Sequence, residues 1–226
     1  MILYIFFYFV FFSFYKCSTA FDMNIAKVSV WLSGAAYCDK DMYQNMTLTG
    51  PASGFKYIDT LYDVKSDTQG FIGYHRDSHA IYVVIRGTSS ALNWLDDIQM
   101  LHTPYITYPE CECNVHSGFY KSALGVRDRT LLLVELLHKK YPTYKIVHTG
   151  HSFGAATSSL LAMEIAHEGF NSVEVYNFGQ PRIGDAKYAG FVNTVIHEEY
   201  YWRITHNRDI VPHLPVGSII VFLHSC

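Results

Sequence analysis

The sequence predicts an α/β domain with a mostly parallel central sheet flanked by helices. Short β-branched or aromatic runs alternate with segments of helical period along the chain. In the second half they follow one another at the spacing of strand–helix–strand units, which places their strands parallel. No repeat, low-complexity tract or Pro/Ser-rich linker divides residues 21–226, so one domain is expected there. Of 226 residues, 50% are hydrophobic and 16% charged, which excludes a disordered chain. Lys and Arg number 17 against 20 Asp and Glu, so a net charge of −3 offers no basic footprint for nucleic acid.

The chain opens with MILYIFFYFVFFSFY, apolar except for Ser13. As a helix this run rises only about 22 Å, short of a hydrocarbon core of roughly 30 Å. Ser18-Thr19-Ala20 follows and suits signal peptidase. Residues 1–20 are therefore read as a secretory signal, and 21–226 as an extracellular domain with no stable transmembrane insertion after cleavage. A short uncleaved anchor is the alternative, because no charged residue precedes the apolar run. Next, Asp22 stands as N-cap to an amphipathic helix over 22–37. Strand patterns occupy 57–64, 70–75 and 79–86 (HAIYVVIR), and a polar and aromatic loop then leads to Cys113. A helix is expected over 119–141, stopped by Pro142. Beyond it come strand 145–149, a glycine-flanked turn, helix 155–167, strand 173–178, helix 186–195 and strand 200–205.

Secretion sets the reading of the cysteines. Cys17 leaves with the signal, and Cys38, Cys111, Cys113 and Cys226 remain, with three pairings open. Closing Cys111 directly on Cys113 makes a very small ring, so longer links are expected. No second Cys or His pair stands at ligand spacing beside them, and neither a metal nor another cofactor is expected. The sequon Asn45-Met46-Thr47 marks Asn45 as a glycosylation candidate on a surface loop.

The strongest chemical signal is Gly150-His151-Ser152-Phe153-Gly154, a G-x-S-x-G between an apolar strand and an Ala-rich helix. A nucleophile elbow requires this context: the glycines permit a sharp turn and close helix–strand packing, and Ser152 is left at the helix N-terminus. The Phe153 amide there favours developing negative charge. A second oxyanion donor has to come from an earlier strand exit, and Arg86-Gly87-Thr88-Ser89 places Thr88 there.

Six segments in order, IRGTSS (85–90), NWLDD (93–97), VHSGFY (115–120), GHSFG (150–154), NFGQPRIGD (177–185) and ITHNRDIVPHLP (204–215), make the chain resemble the class 3 lipases, the fungal-lipase-like α/β-hydrolases. The resemblance implies an α/β-hydrolase fold. It also implies a serine esterase that cleaves lipid esters such as triacylglycerols at a lipid–water interface, by a Ser–Asp–His triad and an acyl-enzyme. Ser152 matches the nucleophile, Asp209 the acid, and Thr88 and Phe153 the oxyanion positions. A lid is implied over 90–98, where Leu92, Trp94, Leu95 and Ile98 share a helical face opposite Asp96 and Asp97. His151 and His116 are read as residues that support the site's side chains from behind or pack, and Arg182 as structural.

The resemblance stops after Pro215. In the family a further strand and helix follow, with the catalytic histidine, so this chain is expected to lack its last strand and helix. His213 lies four residues past Asp209 and matches no family histidine. His224, at the end of the β-branched run 218–223, is the candidate base, and fifteen residues extended reach about 50 Å from Asp209. The expectation for this chain is an incomplete triad with trace turnover at most. A non-catalytic lipid-binding protein of the same fold is the alternative function.

Overall fold

A computed structural model of the chain describes residues 21–88 and 101–214. The signal, the lid residues Leu92, Trp94, Leu95 and Ile98, and the tail carrying His224 and Cys226 lie outside the described residues. Six strands form the main sheet in the order β1 (Lys56–Asp63), β2 (Thr68–His75), β3 (Ala80–Ile85), β6 (Lys145–His151), β7 (Val173–Phe178), β8 (Tyr201–Ile204). The pairs β1–β2 and β2–β3 are antiparallel, as the short turns between them demand. The pairs β3–β6, β6–β7 and β7–β8 are parallel. A small hairpin of β4 (His102–Pro104) and β5 (Asn114–His116) stands apart, in the stretch expected to be loop. Its three-residue strands are too short to carry a readable period.

Both faces of the sheet are covered at its centre, so β3 reads as a continuous apolar run. Along β3, Ile81, Val83 and Ile85 enter the core cluster that includes α2 (Ser117–Lys140) and α3 (Phe153–His167). The alternate residues Ala80, Tyr82 and Val84 enter the cluster built with α1 (Met23–Ala35). Polar ties fix α1 to the sheet: Ser33 Oγ lies 3.0 Å from Thr149 Oγ1, which also bonds the Tyr176 carbonyl. Asp22 caps α1 as expected, its Oδ1 accepting from the amides of Asn24 and Ile25. α2 starts two residues earlier than the pattern suggested, with His116 as its N-cap. α4 (Ala186–Val195) agrees with the sequence reading. Among the described residues, no helix is long and apolar enough to cross a membrane.

The cysteine expectation is overturned. Cys111 is bonded to Cys113. Between them Glu112 adopts a left-handed conformation, φ 46°, ψ 33°, and the bend sets the two Cα atoms 5.1 Å apart. That separation lies within the ordinary span of a disulfide, so the short ring closes without the longer link.

Candidate active site

The site forms where the parallel strands end. β6 is flanked by β3 and β7, and the register pairs Ile85 with Gly150 and Phe178 with His151. Three strand exits therefore leave the sheet side by side. At the β6 exit Ser152 has φ 55° and ψ −125°, a conformation L-residues avoid and hold only when their surroundings enforce it. Its amide donates to the Phe178 carbonyl (3.0 Å), and its carbonyl accepts from Ala155 (3.0 Å).

The two motif glycines make this turn possible. A Cβ on Gly150 would stand 2.5 Å from the carbonyl carbon of Gly154. One on Gly154 would stand 2.6 Å from the carbonyl carbon of Arg86 and fall on the Ile85 carbonyl oxygen. Without side chains there, the first turn of α3 lies directly against the β3 exit, which carries Thr88. The ring of Phe153 packs edge-on to Phe119 of α2, centroids 5.3 Å apart, and holds that turn in place.

Ser152 is buried, and among the described residues neither its Oγ nor the Oγ1 of Thr88 has a hydrogen-bond partner. Orphaned buried hydroxyls are costly. Here both fall at the positions that the sequence assigns to the nucleophile and to one oxyanion donor.

Asp209 arrives on the loop after β8. Gly179 donates to the Ile204 carbonyl (2.9 Å), so the end of β7 is tied to the elbow on one side and to the β8 exit on the other. Asp209 Oδ1 accepts from the Val211 amide at 3.0 Å. Oδ2 stands 2.9 Å from the point a Cβ of Gly179 would occupy, and Gly179, at φ +54°, is the residue that admits this approach.

His151, expected either to support the site or to pack, has polar neighbours on two sides. Its Nε2 stands 3.5 Å from the same Gly179 point, on the side of Asp209. Burial lowers its pKa, and the Asp209 carboxylate opposes that. Its Nδ1 is 2.8 Å from the hydroxyl of Tyr37, a residue the sequence reading passed over. Tyr37 is held from both neighbours. The Ala36 carbonyl accepts from Tyr43 Oη (2.6 Å), and the Cys38 carbonyl from Gln69 Nε2 (2.9 Å). Arg86 in turn donates to Gln69 Oε1 at 2.7 Å. Burial keeps the Tyr37 phenol above its ordinary pKa against the pull of Arg86, so it stays protonated near neutrality. His116 both caps α2 and packs, its Nδ1 accepting from the Phe119 amide and its ring 4.3 Å from that of Phe119.

The chemistry open to this arrangement is acyl transfer. A serine hydroxyl sits at the positive end of a helix, the helix turn that holds Phe153 lies against the strand exit that carries Thr88, and a carboxylate stands at the adjacent strand exit.

Comparison with known proteins agrees with the geometry. The family model of the class 3 lipases matches residues 82–218. The lipase of Rhizomucor miehei is 37% identical over 219 residues, 93% of this chain and 58% of that protein. The secreted mono- and diacylglycerol lipase A of Penicillium cyclopium is 30% identical, over 80% of this chain and 57% of that protein. The chain thus spans less than two thirds of the length of these curated relatives. In three dimensions the Rhizomucor miehei triacylglyceride lipase superposes with a TM-score of 0.79 at 30% identity, covering 87% of this chain and 76% of that one. A triacylglycerol lipase described as having a serine protease triad at its catalytic centre gives 0.77 at 30% identity, over 85% and 74%. With an α/β-hydrolase sheet, a G-x-S-x-G elbow and these relatives, the chain belongs to the class 3 lipase family.

Proposed function

We propose that the whole protein is a secreted lipase or carboxylesterase that hydrolyses triacylglycerol-like esters through an acyl-enzyme on Ser152. The observation that carries this reading is the strained backbone of Ser152 at the exit of β6, with its hydroxyl buried beside the first turn of α3. Ser152 Oγ attacks the ester carbonyl, and the amides of Phe153 and Thr88 receive the oxyanion. An imidazole takes the serine proton and returns it to the leaving alcohol, while Asp209 orients that ring and balances its charge. His224 is the candidate this chain offers for the base. Water then releases the fatty acid from the acyl-enzyme. The relatives support the substrate class, being lipases of triacylglycerol or of mono- and diacylglycerol by description.

Substitution tests the assignment. In a form that carries the family's histidine, Ser152→Ala should lower kcat on a long-chain ester by about 10⁶-fold, the loss seen when another serine hydrolase loses its nucleophile. A fluorophosphonate should add to Ser152 in the parent protein, as read by peptide mass. Turnover within tenfold of the parent in Ser152→Ala would place the nucleophile elsewhere. His224→Ala, run alongside, keeps His224 as base only if turnover collapses.

A further inference from the structure

We propose that Asn45 carries an N-linked glycan whose first sugars lie in the apolar groove between α1 and residues 46–49. The proposal shares with the proposed function only its passage through the secretory route, and it is independent of ester hydrolysis.

The acceptor is well presented. Asn45 is exposed and closes a short 3-10 turn, Lys40–Asn45. Met46 then runs extended (φ −64°, ψ 127°), and Thr47 is exposed. The turn rests on Tyr43, which is fully buried and bonded to the Ala36 carbonyl, so Asn45 stands on a fixed base. Transfer needs a lipid-linked oligosaccharide pyrophosphate as donor. The bond from the sugar's anomeric carbon to the phosphate oxygen breaks, and the lipid pyrophosphate departs with its electron pair. A bond from the anomeric carbon to Asn45 Nδ2 forms, and one Nδ2 proton is released. No oxidation state changes.

The groove begins at the very next residues. Met46, Thr47, Leu48 and Thr49 form one wall, and Val30 and Trp31 of α1 face them across about 510 Å³, a volume in the range of small-ligand sites. The Trp31 indole is 47% exposed, and a Cβ on Gly50 would sit 3.2 Å from its Cε2 and Cζ2, so that turn lies against the ring. A groove lined by an exposed indole and two threonines suits a pyranose, whose C–H face is apolar and whose rim is polar. A tethered sugar reaches this surface without the entropy of a free ligand's encounter. The covalent anchor one residue from the groove selects a glycan over a free acyl chain as occupant.

The test uses the full chain secreted from a eukaryotic host, with peptide mapping before and after amidase release of N-glycans. Asn45 should be modified in the parent and unmodified in Asn45→Gln. The glycosylated parent should melt about 2–4 °C above Asn45→Gln, a shift of the size expected for a modest contact in a domain this large. Trimming to the single core sugar should keep that difference, and a Trp31→Leu background should erase it. Should Trp31→Leu fail to be secreted, cross-relaxation between the first sugar's protons and the Trp31 indole in the parent decides the same point. An unmodified Asn45 in secreted protein overturns the site. A glycan whose thermal increment survives Trp31→Leu, or one without cross-relaxation to the indole, overturns its seat in the groove. Neither readout depends on ester turnover.

Discussion

His148 is the sharpest case of a residue whose chemistry is set by its surroundings. It lies on β6, one residue before Thr149, and is fully buried against α3. Burial holds its pKa down at about 3, with the Ser158 backbone acting the other way. In the unfolded chain its pKa returns to about 6.5. Above that value both states are neutral, and the contribution of His148 to stability is complete. As pH falls below 6.5 the unfolded chain takes up a proton that the folded chain refuses, and stability declines by up to about 1.4 kcal/mol per pH unit until the folded pKa is reached. The urea midpoint should therefore drop between pH 7 and pH 5 more steeply in the parent than in His148→Leu. Parallel slopes for the two proteins would show that His148 does not refuse the proton. Burial also raises the carboxyls of Glu164 and Glu174, whose effect on stability has the opposite sign and is common to the parent and His148→Leu.

Among the elements, the elbow and α3 stand or fall together. The helix can approach β3 only because position 154 has no side chain. Gly154→Ala should push the first turn of α3 away from the Arg86 backbone and cost about 1–3 kcal/mol, the usual range for overpacking. Because the same turn bears the Phe153 amide, labelling of Ser152 by fluorophosphonate should slow along with the loss of stability. Thermal midpoint and labelling rate, measured on one preparation, check both. A variant as stable and as reactive as the parent would mean that the strand exit yields freely, and that the close approach is not what places Ser152.

For the whole molecule, the proposal of a secreted lipase makes two demands. Secreted protein should begin at Phe21, as an intact mass will tell; material that keeps residues 1–20 would leave the apolar run as an anchor. The described chain suits that start, for the Phe21 ring packs 5.2 Å from Trp202 and 5.8 Å from Tyr176. The second demand concerns the apolar side of 90–98, which lies outside the described residues. If it covers Ser152 in water and turns to lipid at an interface, turnover of a long-chain ester should jump as substrate passes its solubility limit. A smooth rise through that limit would remove the lid from the account.

How much of this was legible in the chain itself depended on the range of the interactions. Short β-branched apolar runs, an Asp before a helix and glycines two residues either side of a serine act within a few residues. β3, β6, the cap of α1 and the elbow at Ser152 were therefore readable from spacing alone. Asp209 was readable only through the family's motif, since an aspartate after a strand has no local mark of chemistry. Tyr37 had none at all: its hydroxyl meets His151 across 114 residues because α1 lies against the sheet at the exit of β6. The bond between Cys111 and Cys113 turned on one backbone conformation, the left-handed Glu112, which no spacing rule announces. Local sequence thus marked most of the strands and helices and the place of the proposed nucleophile. The order of the strands decided which distant side chains face it, because side-chain contacts across a sheet follow from how its elements pack.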